Sequence, residues 1–291
     1  MNATRCAMFT SAKSKTLREM SADEVVKVCE INYIDYWRSA TAASAEEYSE
    51  DGGIKRCITG LAQDIFNVVL CCELAEDTAP AQIDRALAEF RSRRVPMIWH
   101  VGKTSTPASV SELLNERGFP HDYDLVAMAA DLSHSPPSVP LREGVSLRKC
   151  ESAIDIGHWI DSLTDSWGSP ADVGRWMRGN PFFGPDSHPL GRSASDRIMY
   201  LGFLNGVPSG AVMLLTSRGT AGLQCVGTVA SAQRRGVGEA LVRAALSDAA
   251  RMGHKFVVVL STTEGVPLYR RAGFKAYGTL PEHSMYFDKM P

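Results

Sequence analysis

The chain has 291 residues, of which 44% are hydrophobic and 22% charged, and its formal net charge is -2. That balance predicts one large or two ordinary globular domains with a sizeable core, and excludes global disorder. It provides no basic face to displace counterions from phosphates, so no nucleic-acid partner is expected. No run approaches the roughly 18 apolar residues of a membrane helix, and the first twenty residues lack the apolar centre of a secretory signal. Seven cysteines (Cys6, Cys29, Cys57, Cys71, Cys72, Cys150 and Cys225) form no CxxC pair. An odd, unpatterned set reads as reduced thiols in a cytoplasmic protein, with no metal site expected.

In chain order, Ser21-Ala-Asp-Glu24 is a capping box opening a helix over about 22–40. Residues 41–53 are polar, acidic and end in two glycines, which predicts a loop. Strands are expected at 54–59 and 65–72, a helix at 81–94, a strand at 96–101, a helix at 110–117 stopped by Gly118-Phe119, and a strand at 123–131. The stretch SHSPPSVPLREG, about 132–145, is the expected linker.

The second half opens with a strand at 145–148 and helices at 152–164 and 170–178, the latter read with Ser169 as N-cap and Pro170 at its first position. A Pro- and Gly-rich loop leads to a strand at 198–204. Asn205-Gly206 is the strongest hairpin signal in the chain, and strands at 211–216 and 223–229 complete a meander. The period then changes: a helix to about Met252, a buried strand at 256–261, a short helix at 266–271, and terminal strands at 274–277 and 284–287. Antiparallel strands followed by strand–helix–strand–helix indicate an α+β fold.

The halves share a grammar. ALAEFRSRRVPMIWHVG…ELLNERGF and AALSDAARMGHKFVVVLS…PLYRRAGF each run amphipathic helix, buried strand, short helix, Gly-Phe. This suggests two copies of one fold, divided as 1–135 and 145–291. The copies differ where chemistry would sit. The first has AEDTAPAQ before its helix where the second has QRRGVG, and Leu114 where the second has Tyr269.

Gln233-Arg234-Arg235-Gly236-Val237-Gly238 lies between a strand and a helix. A helix N-terminus offers free N–H groups and partial positive charge, the two glycines remove Cβ atoms that would hold a ligand off, and the arginines suit phosphate. The pattern fits a pyrophosphate. It lacks the spacing of a Walker loop and of a GxGxxG dinucleotide fingerprint, which argues against a nucleotide-binding P-loop protein.

The run VGTVASAQRRGVGEALVRAAL, then FVVVLST, then GVPLYRRAGF resembles the GNAT (GCN5-related N-acetyltransferase) superfamily, whose signature is a strand, a Q/R-x-x-G-x-G/A loop, a helix, a strand, and a short helix with Leu-Tyr before Gly-Phe. More weakly, TGLAQDIFNVVL, PMIWHVG, NPFFGPDSHPLG and YLGFLNGVPSGAVML look like bacterial members with a degenerate N-terminal GNAT-like half. The resemblance implies two tandem GNAT-like domains, each a mostly antiparallel sheet flanked by helices, with catalysis in the second. It implies acetyl-CoA as cosubstrate. Backbone groups of Thr228 and Val229 would pair with the pantetheine arm, and main-chain amides across Gln233, Arg234, Arg235, Gly236, Val237, Gly238 and Glu239 would hold the pyrophosphate. Tyr269 would protonate the departing thiolate. The chain departs from the family at Ala230-Ser231, where Pro-Glu is common, and lacks the Asn common before the last helix.

The acceptor side is less defined. The implied acceptor is a primary amine on a small molecule or peptide, and the chain a monomer or homodimer. No single residue stands out to take the amine's proton: Glu264, just after the strand bordering the cleft, is one candidate, Asp165, His188 and His283 are others, and a water chain to bulk solvent serves equally. Trp167, Phe182 and Phe183 fall where family members shape the acceptor pocket. The alternative to an enzyme is an acyl-CoA-binding module without turnover. The intact QRRGVG loop and Tyr269 favour the enzyme.

Overall fold

The computed structural model describes residues 15–41, 48–133, 141–185 and 197–286. Cys6 and His188 lie outside the described residues, as does position 287 of the expected final strand.

The helix α1 (Ala22–Ala40) starts on the predicted capping box, Ser21 Oγ accepting from Glu24 N–H and Glu24 accepting from Ser21 N–H. There follow β1 (Tyr48–Asp51), β2 (Ile54–Ile58), β3 (Asn67–Cys72), α2 (Ala79–Arg93), β4 (Met97–His100), α3 (Val110–Glu116) and β5 (His121–Asp131). The second half has β6 (Val145–Lys149), α4 (Ala153–Trp167), α5 (Ala171–Gly179), β7 (Arg197–Leu204), β8 (Val207–Ser217), β9 (Thr220–Thr228), α6 (Val237–Arg251), β10 (Phe256–Ser261), α7 (Val266–Arg271) and β11 (Phe274–Met285).

Three sequence expectations change. Residues 48–51, read as loop, form β1, because Gly52 and Gly53 at positive φ close a hairpin onto β2. Ser169 is not an N-cap: α5 begins after Pro170 with no side-chain cap bond, and Ser169 Oγ is buried without a hydrogen-bond partner among the described residues. The two terminal strands are one, β11, which runs through Gly278 and Pro281 by means of register shifts at Ala276/Gly278 and Glu282/His283. Bulges let a strand absorb residues that otherwise punctuate it. The Asn205-Gly206 turn is as predicted, both residues at positive φ between β7 and β8.

The eleven described strands form one sheet in the order β1-β2-β3-β4-β11-β5-β10-β9-β8-β7-β6. Only β3·β4 and β9·β10 are parallel. In each half a parallel pair brackets a helix: β3–α2–β4–α3 and β9–α6–β10–α7. The closing strands are then exchanged. The first half's β5 pairs with β10, the second half's β11 pairs with β4, and the two pair with each other at the sheet centre. The sheet is therefore continuous across the expected linker.

Alternation along the strands separates two apolar layers. Met199, Leu201, Ala211, Met213 and Leu215 pack against α1, α4 and α5. Tyr200, Val212, Leu214, Ala221 and Leu223 pack on the other face against α6 and α7. The first half repeats the second arrangement with α2 and α3 over Val69, Met97 and Trp99. Trp159 of α4 is wholly buried and donates its indole N–H to Val212 O at 3.2 Å. Truncating such a residue to alanine costs about 3–5 kcal/mol.

Candidate active site

The strands β9 and β10 pair only at Ala221–Val257 and Gly222–Val258, then diverge. The divergence has a local cause. Cys225 adopts φ 52 within β9, where the β8·β9 register shifts between Ala211 and Met213. A non-glycine residue in the left-handed region marks a bulge that bends its strand. Cys225 is fixed there by donating its thiol hydrogen to the Tyr36 phenol Oη at 3.1 Å. Burial pushes this thiol up to about 12, so it is inert as a nucleophile.

A cavity of about 970 Å³ fills the gap and reaches both faces of the sheet. At one end stand Thr228, Gln233, Arg234, Gly236, Gly238 and Glu239. The helix α6 starts from Gly236 at φ 97, and its first return bond is Ala240 N–H to Gly236 O, 3.0 Å. The N–H groups ahead of Ala240 have no intrahelical acceptor, as helix geometry requires. A Cβ at Gly236 would stand 2.7 Å from Arg142 Cδ, and one at Gly238 would stand 3.0 Å from Thr228 Oγ1. Gly236 needs glycine for its φ, and a Cβ at Gly238 would crowd Thr228. Glu239 pairs with Arg243 at 3.0 Å and Arg271 at 3.6 Å, tying α6 to α7.

Not every expected residue reaches the wall. The Val237 side chain is buried against Gly202 and Gly210, and Arg235 is exposed but outside the lining. Val229 lies off the wall: its N–H donates to Ser209 O and its C=O accepts from Ala232 N–H. Thr228 O takes only a 3.3 Å contact from the exposed Gln233 amide. Arg142 and Arg271 also line this end. The sequence reading passed over both, because Arg142 falls inside the expected linker and Arg271 looks like an ordinary basic helix end.

Tyr269 of α7 lies on the wall, mostly buried, its ring 5.4 Å from Phe274. Burial pushes its phenol far above the ordinary range, so it is held protonated. Gly265 allows this packing, since a Cβ there would stand 2.6 Å from Ser261 Oγ and 3.3 Å from the Tyr269 ring. Glu264 lines the same cavity and is solvent-exposed.

Of the other expected acceptor-side residues that are described, only Trp167 lines the cavity, donating its indole N–H to Val226 O at 3.3 Å. Asp165 is exposed and off the wall. Phe182 and Phe183 are buried in the core with Tyr36, Trp159 and Trp176. His283 is buried and held by Phe119 O at 2.8 Å and Ser111 Oγ at 3.1 Å. The far end of the cavity comes instead from the first half and β11: Tyr33, Trp37, Phe66, His100, Tyr123 and Glu282. The sequence signals were faint: a histidine closing an apolar strand, and an acid in the last strand.

The GNAT acetyltransferase family model matches residues 165–274. No curated protein sequence matches the chain. Among solved structures, a GCN5-related N-acetyltransferase from Kribbella flavida is similar with TM-score 0.62 at 15% identity, covering 88% of this chain and 94% of that one. One from Sphaerobacter thermophilus gives 0.60 at 18% identity, covering 80% and 76%. A tandem GNAT protein from the clavulanic acid biosynthesis pathway gives 0.55 at 12% identity, covering 91% and 96%. The matched segment contains β9, α6, β10 and α7, the elements that build the cavity; residues 165–274 thus match a GNAT acetyltransferase domain, and the chain as a whole has the fold of the tandem GNAT protein it is similar to.

Proposed function

We propose that the chain is an N-acetyltransferase that moves an acetyl group from acetyl-CoA to a primary amine by direct attack. The observation that carries this reading is the conjunction, in one cavity, of the glycine-built N-terminus of α6 and the buried phenol of Tyr269. Free N–H groups, the helix dipole and Arg142, Arg234 and Arg271 match a diphosphate in charge and geometry. Thr228, at the open end of β9, can take an extended pantetheine-like arm as an added strand.

Bound acetyl-CoA supplies the acyl group already activated as a thioester. The chain's own residues do the rest. They hold amine and thioester together in the gap between β9 and β10, and Tyr269 gives its proton to the departing sulfur. A phenol kept neutral by burial is ready to donate, and the reaction supplies a thiolate of roughly comparable basicity. Glu264, exposed on the wall, passes protons to bulk water. Free thiols at all six described cysteines, and the absence of a membrane-crossing helix among the described residues, support a cytoplasmic setting.

The test is a thermal shift with acetyl-CoA, CoA and ATP, followed by a thiol-release assay over an amine panel. A ligand at 100 times its dissociation constant stabilises by about 2.7 kcal/mol. Stabilisation by acetyl-CoA but not ATP, with amine-dependent thiol release, is expected. Stabilisation without release from any amine would make the chain an acyl-CoA-binding module instead.

A further inference from the structure

At the sheet centre three polar side chains stand in one cross-strand row. Glu282 of β11 is the register partner of His100 on β4 and of Tyr123 on β5. Directly opposed residues project from the same face, here the face covered by α1. His100 and Glu282 are 3% and 1% exposed, their Nδ1 and Oε1 stand 2.5 Å apart, and both line the cavity. Both imidazole nitrogens of His100 and both carboxylate oxygens of Glu282 are buried without an aligned hydrogen-bond partner among the described residues, so the pair meets through its close Nδ1–Oε1 contact, and Nε2 faces no protein acceptor or donor. The Tyr33 ring meets the imidazole edge-on, 5.2 Å between centroids, and Trp37 and Phe66 continue the aromatic wall.

Such a pair is costly in a core. The row adds nothing to the ladder that apolar residues would not, and it faces a cavity. A carboxylate set against one imidazole nitrogen favours a proton there and leaves the other nitrogen to act as a base. Aromatic faces beside a carboxylate suit a cation carrying an apolar body. A polyamine or an amino sugar would leave most of its polar groups unmatched against this wall.

We propose that His100, Glu282 and the Tyr33–Trp37–Phe66 wall form the acceptor site, which takes a small arylalkyl amine as its ammonium, and that His100 Nε2 removes the proton that blocks attack. This rests on the acetyl-CoA reading above. The amine gives one proton to His100. Its nitrogen then bonds to the thioester carbonyl carbon as the carbon–sulfur bond breaks. The sulfur takes the phenol proton of Tyr269, and the nitrogen's second proton restores the phenol. The proton on His100 leaves to solvent, so each turnover yields amide, free thiol and one released proton.

The experiment uses the full chain with acetyl-CoA and a panel of phenethylamine, benzylamine, spermidine and glucosamine. Acetyl-CoA affinity is measured separately by calorimetry. Phenethylamine and benzylamine are expected to exceed the other two at least tenfold in kcat/KM. His100→Gln, which keeps size and polarity, should lower kcat about 100-fold while acetyl-CoA affinity stays within about threefold. Glu282→Gln should chiefly raise the KM for amine. A measurement on the unaltered protein guards against misfolding of a buried variant: phenethyltrimethylammonium should compete with phenethylamine, and neutral 3-phenylpropanol should not. Acetyl-CoA binding with no preference for arylalkyl amines, equal competition by the neutral analogue, or an unchanged kcat in His100→Gln would overturn this proposal alone. Failure of the unaltered chain to bind acetyl-CoA would overturn it together with the reading beneath it.

Discussion

The two halves build the same parallel strand–helix–strand–helix unit and treat the edge of its first strand in opposite ways. In the second half the edge of β9 beyond Gly222 opens onto the cavity. In the first half the corresponding edge of β3 is taken by the chain itself. Thr106 N–H donates to Cys72 O at 2.7 Å, Leu74 N–H to Thr106 O at 3.1 Å, and Glu73 and Thr106 form a parallel bridge. The helix entries differ to match. The segment before α2 carries Glu76 and Asp77, with Pro80 in the first turn, where α6 has Arg234, Gly236 and Gly238. Leu114 sits wholly buried where α7 presents Tyr269. One scaffold thus supports an open slot or a sealed structural unit, and the residues at one strand end differ accordingly.

That contrast can be broken most severely at α6. Gly236→Val places a branched side chain at φ 97 and against Arg142. It should weaken acetyl-CoA binding at least about 100-fold by calorimetry, because the amides lose their approach to phosphate. Next, Tyr269→Phe should lower thiol-release turnover about 100-fold with acetyl-CoA affinity nearly unchanged. Leu114→Ala, at the matching place in the first half, should do the reverse: a loss of about 2–5 kcal/mol in denaturant stability with acetyl-CoA affinity intact.

A smaller effect concerns pH. Burial lowers the His283 pKa in the folded state, with the Phe119 carbonyl partly opposing. A base that is harder to protonate when folded gives stability that is full above its unfolded pKa, about 6.5, and is lost as pH falls below it. His283→Gln should flatten urea stability between pH 7 and 5. Smallest of all, Arg178→Ala removes an exposed pairing with Asp161 and should change stability by no more than about 0.5 kcal/mol.

Local signals were legible wherever chemistry and geometry coincide within a few residues. The Ser21 cap, the Asn205-Gly206 turn and the Gly236 helix entry each act through neighbours in sequence. The exchange of β5 and β11 was not legible, because strand partners are chosen by long-range packing that periodicity does not encode. For the same reason the far end of the cavity was not legible: His100, Tyr123 and Glu282 meet only through that exchange. Phe182 and Phe183, which fall where family members shape the acceptor pocket, fill the core beneath α4 and α5, the commoner fate of aromatic side chains.

The most direct measurement is the stoichiometry of acetyl-CoA binding to the full chain by calorimetry, repeated on Gly236→Val. Thr106 fills the β3 edge and the β9 edge is open, so one molecule per chain should bind, and Gly236→Val should abolish that binding. Two equivalent sites, or one that survives Gly236→Val, would contradict the assignment of the slot to the second half.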